Sequence, residues 1–397
     1  MGRTWVIGTL VAEVVLGAGC GGSASSKGPP LTGAVSVAIG AAHACAVMDD
    51  GTARCWGLDV FGQVGDGGKD YIVPRPSAVM GLTGVRSIAV GHDYTCALGA
   101  DGAISCWGLN LSGEIGNGCA LCGASGTAAQ QEEVLMPLAV TGLGGPAAAL
   151  IASTDYADDI GYSCAVLQAG GVQCWGANAL GLVDRSDVIG IPPTAVPGVT
   201  SAVAVTAAES SACALLADGT VACWGLGPLG QPGKSAEADS ATAVPVPGVS
   251  GAVGVATGDF HACAVLADGT VDCWGGNTSG SLGNGTMTDS PTPGPVSDLS
   301  GAVAIGAAGF QTCALLADGT VRCWGNDTAK LTPVPVPGLS GAISISVGNE
   351  SACARVAGGE IECWGDNSTG QLGNGDVPAP GASSPPVTTP RPVIAGD

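Results

Sequence analysis

Cys213-Ala214-Leu215-Leu216-Ala217-Asp218-Gly219-Thr220-Val221-Ala222-Cys223 holds an Asp-Gly dipeptide between two short apolar runs, with a cysteine at each end. Asp-Gly between such runs predicts a hairpin, because glycine takes the positive φ that side chains resist. A three-residue loop, Ala217-Asp218-Gly219, with Gly219 at a bulge sets Leu216 against Thr220. Leu215 then faces Val221, Ala214 faces Ala222 and Cys213 faces Cys223. Alternation from the loop-closing pair places the cysteines at a non-hydrogen-bonded position, where opposing side chains lie closest and within disulfide reach.

The same unit recurs along the chain, and internal repeats outrank every other signal. Cys-Trp-Gly begins at Cys55, Cys106, Cys174, Cys223, Cys273, Cys323 and Cys363. Each has a partner ten positions earlier, at Cys45, Cys96, Cys164, Cys213, Cys263, Cys313 and Cys353. Zinc sites space their ligands two to four residues apart. A spacing of ten across an Asp-Gly turn favours disulfides over zinc. Each bridge closes a short loop, worth about 2.8 kcal/mol in the chain-entropy model. All seven are local, so they stiffen single hairpins and join no unit to another.

Upstream of the hairpin come a Pro-bearing segment, Thr242 to Gly248, and a small-residue strand, Gly251 to Ala256. Proline cannot donate to a central ladder, so the first suits a sheet edge. Four strands per unit of about 50 residues, repeated seven times, is the pattern of an all-β seven-bladed propeller. Blade 1 begins at Leu31 with no Pro-bearing strand before it. The C-terminal Thr389 to Ile394 is expected to supply that outer strand and close the ring.

Composition narrows function. The 397 residues include 12 Lys plus Arg against 33 Asp plus Glu, a formal charge of −21. That excludes nucleic-acid binding by phosphate neutralisation, which needs clustered cations. With 46% hydrophobic residues and a mean hydropathy of +0.40, the chain is no solvated disordered polymer. Seventeen cysteines belong in an oxidising compartment if no metal holds them. The N-terminus agrees. Residues 1–19 read as an export signal, with Arg3 ahead of an apolar run from Trp5 to Leu16. Leu16-Gly17-Ala18-Gly19-Cys20 is similar to a bacterial lipoprotein processing site, which makes Cys20 the candidate for lipidation; plain secretion is the alternative. Residues 20–30 form a flexible tether, and the propeller is assigned to 31–397. No later stretch has about 18 uninterrupted apolar residues, so membrane contact is expected only through Cys20.

A family resemblance rests on Gly258-Asp259-Phe260-His261-Ala262-Cys263, Asp268-Gly269, Trp274-Gly275, Asn277, Gly280, Leu282 and Gly283. Blade 7 matches again at Trp364-Gly365, Asn367 and Gly370-Gln371-Leu372-Gly373. The unit resembles the regulator of chromosome condensation repeat, and the cysteines resemble its secreted, disulfide-rich bacterial branch. That resemblance implies a seven-bladed ring and a role in binding proteins, including enzyme inhibition by an exported member. Nucleotide exchange on a small GTPase, the nuclear member's role, is opposed by export, disulfides and acidity. Blade 4 departs at Gly227, blade 6 replaces its loop with Asp327 to Lys330, and blade 3 lacks the last glycine.

Candidate chemistry is sparse. Gly225-Leu226-Gly227-Pro228-Leu229-Gly230 spells a dinucleotide pattern, but it leads into Gln231-Pro232-Gly233 rather than a helix. Cys119 and Cys122 lie three apart in a Gly-rich insertion and read as a loop staple, with redox activity as the alternative. Asp155, Asp158 and Asp159 read as a solvated acidic loop without calcium-loop spacing. No catalytic residue, metal or cofactor is expected. An enzyme would instead need acidic groups such as Asp93 and Glu350 to converge in one pocket. The position two before each first cysteine holds His43, Tyr94, Tyr162, Ser211, His261, Gln311 and Ser351. Joined by Phe260 and Phe310, this slot is the expected binding face for one protein partner of a monomeric, exported scaffold at the cell envelope.

Overall fold

The computed structural model describes residues 28–118, 133–153, 161–177, 190–208, 211–225, 240–377 and 385–396. These form seven four-stranded antiparallel sheets, each with its strands in chain order. Blade 5 runs Ala252–Thr257, His261–Leu266, Val271–Gly275 and Ser290–Pro295. Each first strand packs on the first strands of the blades before and after it, and the strand Ala34–Ile39 meets Ala342–Val347. The seven therefore surround one axis. No helix among the described residues is long and apolar enough to cross a membrane.

The hairpin register is the one expected. Cys213 pairs with Cys223, Ala214 with Ala222 and Leu215 with Val221. Leu216 N donates to Thr220 O at 2.9 Å, and Gly219 takes φ 78°. All seven cross-strand disulfides are present, with Cα atoms 4.0–4.1 Å apart. Cys20, Cys119, Cys122, Asp155, Asp158, Asp159, residues 226–239 and the signal segment lie outside the described residues.

One boundary differs from expectation. The Pro-bearing strand belongs to the hairpin before it: Ser240–Pro245 pairs with the strand of Cys223. Its prolines still sit at the sheet edge, as their missing N–H requires. The C-terminal strand Val387–Pro392 is accordingly the outer strand of blade 7. It closes the ring through its continuation. Leu31 N donates to Val393 O at 2.8 Å, Ala395 N donates to Pro29 O at 2.9 Å, and Pro30 bridges Ile394.

At four junctions among the described residues, a loop that follows the third strand joins one blade to the next. Gly62-Gln63-Val64-Gly65 turns back so that Gln63 O accepts the indole N–H of Trp107, in the next blade, at 2.9 Å. Glu114 O does the same for Trp175, Ser281 O for Trp324 and Gln371 O for Trp56, at 2.8–2.9 Å. The apolar member of each loop, Val64, Ile115, Leu282 or Leu372, is at most 1% exposed. The following glycine lies flat on the indole. A Cβ at Gly65 would stand 2.4 Å from Trp107 Nε1, and one at Gly373 would stand 2.6 Å from Trp56 Nε1. Asp59, Asn110, Asn277 and Asn367 fix the turn, each accepting the backbone N–H of that apolar residue at 2.9–3.1 Å.

Removing such a clamp costs its hydrogen bond and part of the ring's packing. Trp107→Phe is expected to lower unfolding stability by about 2–3 kcal/mol. Trp364→Phe, whose indole meets no clamp loop, is expected to cost at least about 1 kcal/mol less. Denaturant unfolding of both variants checks this; equal losses contradict it.

Candidate functional site

Two sets of connections emerge at one end of the ring. His43 lies opposite Gly57, so the turn entering the second strand and the loop leaving the third share that end. The same pairing recurs from Tyr94 with Gly108 to Ser351 with Gly365. The Asp-Gly turns lie at the other end. There the Thr52, Thr220, Thr270 and Thr320 side chains and backbone amides hold Asp50, Asp218, Asp268 and Asp318 below the usual carboxylate range.

The recurring slot is not a solvent-facing surface. His43, Tyr94, Tyr162, Ser211, His261 and Ser351 are at most 1% exposed. For the two tyrosines and two histidines the next blade supplies partners. Tyr94 Oη donates to Tyr162 O at 2.5 Å, and Tyr162 Oη lies 2.8 Å from both Ala208 O and Ser211 O. His43 Nε2 lies 2.8 Å from Thr95 Oγ1, whose own proton goes to Gln63 O at 2.9 Å, so His43 is the donor. His261 repeats this with Thr312 and Ser281 O at 2.7 and 3.3 Å. Gln63 O and Ser281 O are also the acceptors for Trp107 and Trp324. Slot residue, threonine, loop carbonyl and tryptophan therefore form one network across the blade junction. A matched sequence signal exists: each slot histidine is followed, one blade on, by threonine one place after the slot.

Glycine makes room for these rings. A Cβ at Gly91 would meet the Tyr94 ring at 2.4 Å, and one at Gly258 would meet His261 Cε1 at 2.3 Å.

Phe260, Phe310 and Gln311 remain partly exposed at this end. The two rings stand 5.7 Å apart, tilted by 32°. Beside them a groove opens between blades 6 and 7, with a volume of about 580 Å³. It exists because blade 6 lacks the clamp loop. Its chain makes only a short turn, with Lys330 N on Asp327 O at 2.8 Å and Gly325 N on Lys330 O at 3.0 Å. Trp364 lines the groove and is 7% exposed, where Trp56, Trp107, Trp175, Trp224, Trp274 and Trp324 are fully buried. Its indole N–H has no acceptor among the described residues. Cys323, the one partly exposed half-cystine among the described pairs, is in the wall. Asp327, Glu350 and Asp366 stand at the rim with Lys330.

Asp93 and Glu350 do not converge. Asp93 is buried in blade 2 against His92 Nδ1 and Gln63 Nε2, whereas Glu350 is exposed in the groove at blade 7. Among the described residues no three metal-ligating side chains cluster.

Burial holds the His43 and His261 imidazoles down at about 4. An unfolded chain takes up these protons near pH 6.5, so the two histidines contribute stability above that pH and lose it as pH falls towards 4. The loss is about 3 kcal/mol for each. Asp59, raised by burial to about 6, acts with the opposite sign. The difference between the wild type and a His43→Gln, His261→Gln variant isolates the histidines. Its unfolding free energy is expected to be flatter than the wild type's between pH 6.5 and 4, and parallel curves contradict the assignment.

Two models of the regulator of chromosome condensation (RCC1) repeat match the chain, one at residues 34–63, 85–114 and 252–281 and one at 50–98 and 268–315. The first model's matches begin blades 1, 2 and 5, all with an intact clamp loop. The ultraviolet-B receptor UVR8 of Arabidopsis thaliana is 28% identical over 158 residues, 38% of this chain and 32% of the receptor. The human probable E3 ubiquitin-protein ligase HERC6 is 34% identical over 84 residues, 21% of this chain and 8% of the ligase. The chain spans about a third or less of the curated relatives it matches. Among solved structures, human WBSCR16 superposes with a TM-score of 0.72 at 21% identity, covering 86% of this chain and 94% of that one. Yeast RCC1 (Prp20), solved bound to Kap60, gives 0.70 at 21% identity, covering 86% and 83%. These two likenesses are of fold alone. Matched by the two repeat models in blades 1, 2, 5 and 6, the chain carries regulator of chromosome condensation repeats and resembles that family.

Proposed function

We propose that the protein is an exported scaffold, tethered to the cell envelope by a lipid on Cys20, that binds a protein partner through the loop face of its ring. The single observation that carries the binding reading is the partly exposed Phe260–Phe310 pair beside the groove at blades 6 and 7. Two neighbouring aromatics on loops of a stiff frame are the composition of an interface anchor. Seven disulfides indicate an oxidising environment, in keeping with export. Yeast RCC1, which shares this fold, was solved bound to Kap60, a precedent for a protein partner. The ring acts as a monomer in this reading, without cofactor.

The test combines fractionation with capture. The full chain expressed in a bacterium is expected in the envelope fraction, with seven hairpin crosslinks by non-reducing peptide mapping. Free Cys213 and Cys223 overturn the compartment. Phe260→Ala with Phe310→Ala is expected to reduce capture of the envelope partner at least tenfold while leaving the melting curve in place. Unchanged capture removes this face from the reading.

A further inference from the structure

We infer that the groove between blades 6 and 7 is a receptor for a partner protein's loop: a tight turn carrying a large aliphatic residue between glycines, flanked by arginine or lysine, whose backbone carbonyl accepts the Trp364 indole N–H. This specifies the partner chemistry of the face proposed above, and so rests on that reading.

The argument comes from the four junctions where the chain fills the equivalent place itself. In each, a loop carbonyl takes the next tryptophan's N–H at 2.8–2.9 Å. An aliphatic side chain sinks to 1% exposure or less beside it. A glycine lies on the indole with no room for a Cβ. At the junction of blades 6 and 7 the tryptophan is retained and the loop is gone. The donor of Trp364 is left without a protein acceptor, beside apolar wall from Val336 and Cys323. The indole N–H opens onto the groove, where a partner's carbonyl can take the place that the loop carbonyls hold at the other four junctions. The cavity of about 580 Å³ falls within the roughly 300–1,000 Å³ of small-ligand clefts, enough for a four-residue turn.

Charge selects the flanks. Asp327, Glu350 and Asp366 stand against Lys330 alone, and the whole chain carries −21. Asp366 is engaged with Ser368 Oγ and Gln371 Nε2, and Asp327 with Ala329 N. Glu350 is exposed and makes no side-chain hydrogen bond or ion pair among the described residues, so it is the group that meets a cation.

The probe is a cyclised peptide copying the blade 7 loop, Asn367-Ser368-Thr369-Gly370-Gln371-Leu372-Gly373-Asn374, extended by one arginine. It is titrated into the full chain while the indole N–H resonances are followed. Saturable binding that shifts the Trp364 signal and no other indole is expected. Replacing leucine by aspartate in the peptide is expected to abolish it, and Glu350→Gln or raised salt to weaken it at least threefold. Trp364→Phe should weaken it at least tenfold. A second variant, with residues 326–331 replaced by the blade 5 loop 277–288, fills the groove from within and should bind nothing. Absence of peptide binding, or binding unaltered in the loop-filled variant, overturns the inference. So does a concentration-dependent dimer that Trp364→Phe dissolves, since the groove's occupant is then a second copy. Retained envelope capture alongside a failed peptide titration sinks the groove and leaves the scaffold reading standing.

Discussion

The hydrogen bond from a tryptophan indole to the loop carbonyl of the preceding blade is the contact that orients one blade on the next at four junctions among the described residues. A propeller is a set of sheets that touch only their neighbours, so something must fix each to the next. The disulfides cannot, because each begins and ends in its own hairpin. Apolar packing between blades supplies most of the free energy but little orientation. The clamp adds direction. A donor of fixed position, a carbonyl of fixed position and a glycine that lets them meet set how one sheet sits on another. The same carbonyl of Gln63 or Ser281 also receives a threonine that in turn receives a slot histidine. Side chains from two blades thus converge on one oxygen.

That constraint explains the composition. Sheets packed face to face around a narrow axis leave thin spaces, so Ala, Val and Gly occupy them, and the buried aromatics among the described residues are the indoles and the slot's Tyr94 and Tyr162. Glycine is abundant because close approach requires it at the clamp and beneath the slot rings. The pH dependence follows from the same crowding: two imidazoles are dry and neutral because each is wedged against the next blade.

Much of this was legible in residue spacing. Cys213 and Cys223 around Asp218-Gly219 predicted a register that the strand pairs match residue for residue, and the count of Cys-Trp-Gly predicted seven blades. Residue spacing carries no signal where a partner lies a blade away. The slot of His43 reads as a hydrogen-bonding or a surface position, because its residue type changes freely from unit to unit. That variation is instead matched pairing, histidine with Thr95 or Thr312 and tyrosine with a backbone carbonyl. The Pro-bearing strand has the same edge character beside either hairpin, so composition alone does not place it with the hairpin before it. The spacing of 40 between Trp324 and Trp364 marked a lost loop. Its consequence, an uncovered indole, needed the knowledge that each loop serves the next tryptophan.

Among the described residues four junctions carry the clamp and the junction of blades 6 and 7 does not, and the proposed binding surface lies at that junction. The most direct test of this account is native-state hydrogen exchange of the indole N–H groups, resolved by NMR. Trp56, Trp107, Trp175 and Trp324 are expected to exchange only on opening of the ring, and Trp364 to exchange faster by at least two orders of magnitude. Equal protection of Trp364 and the four clamped indoles contradicts it.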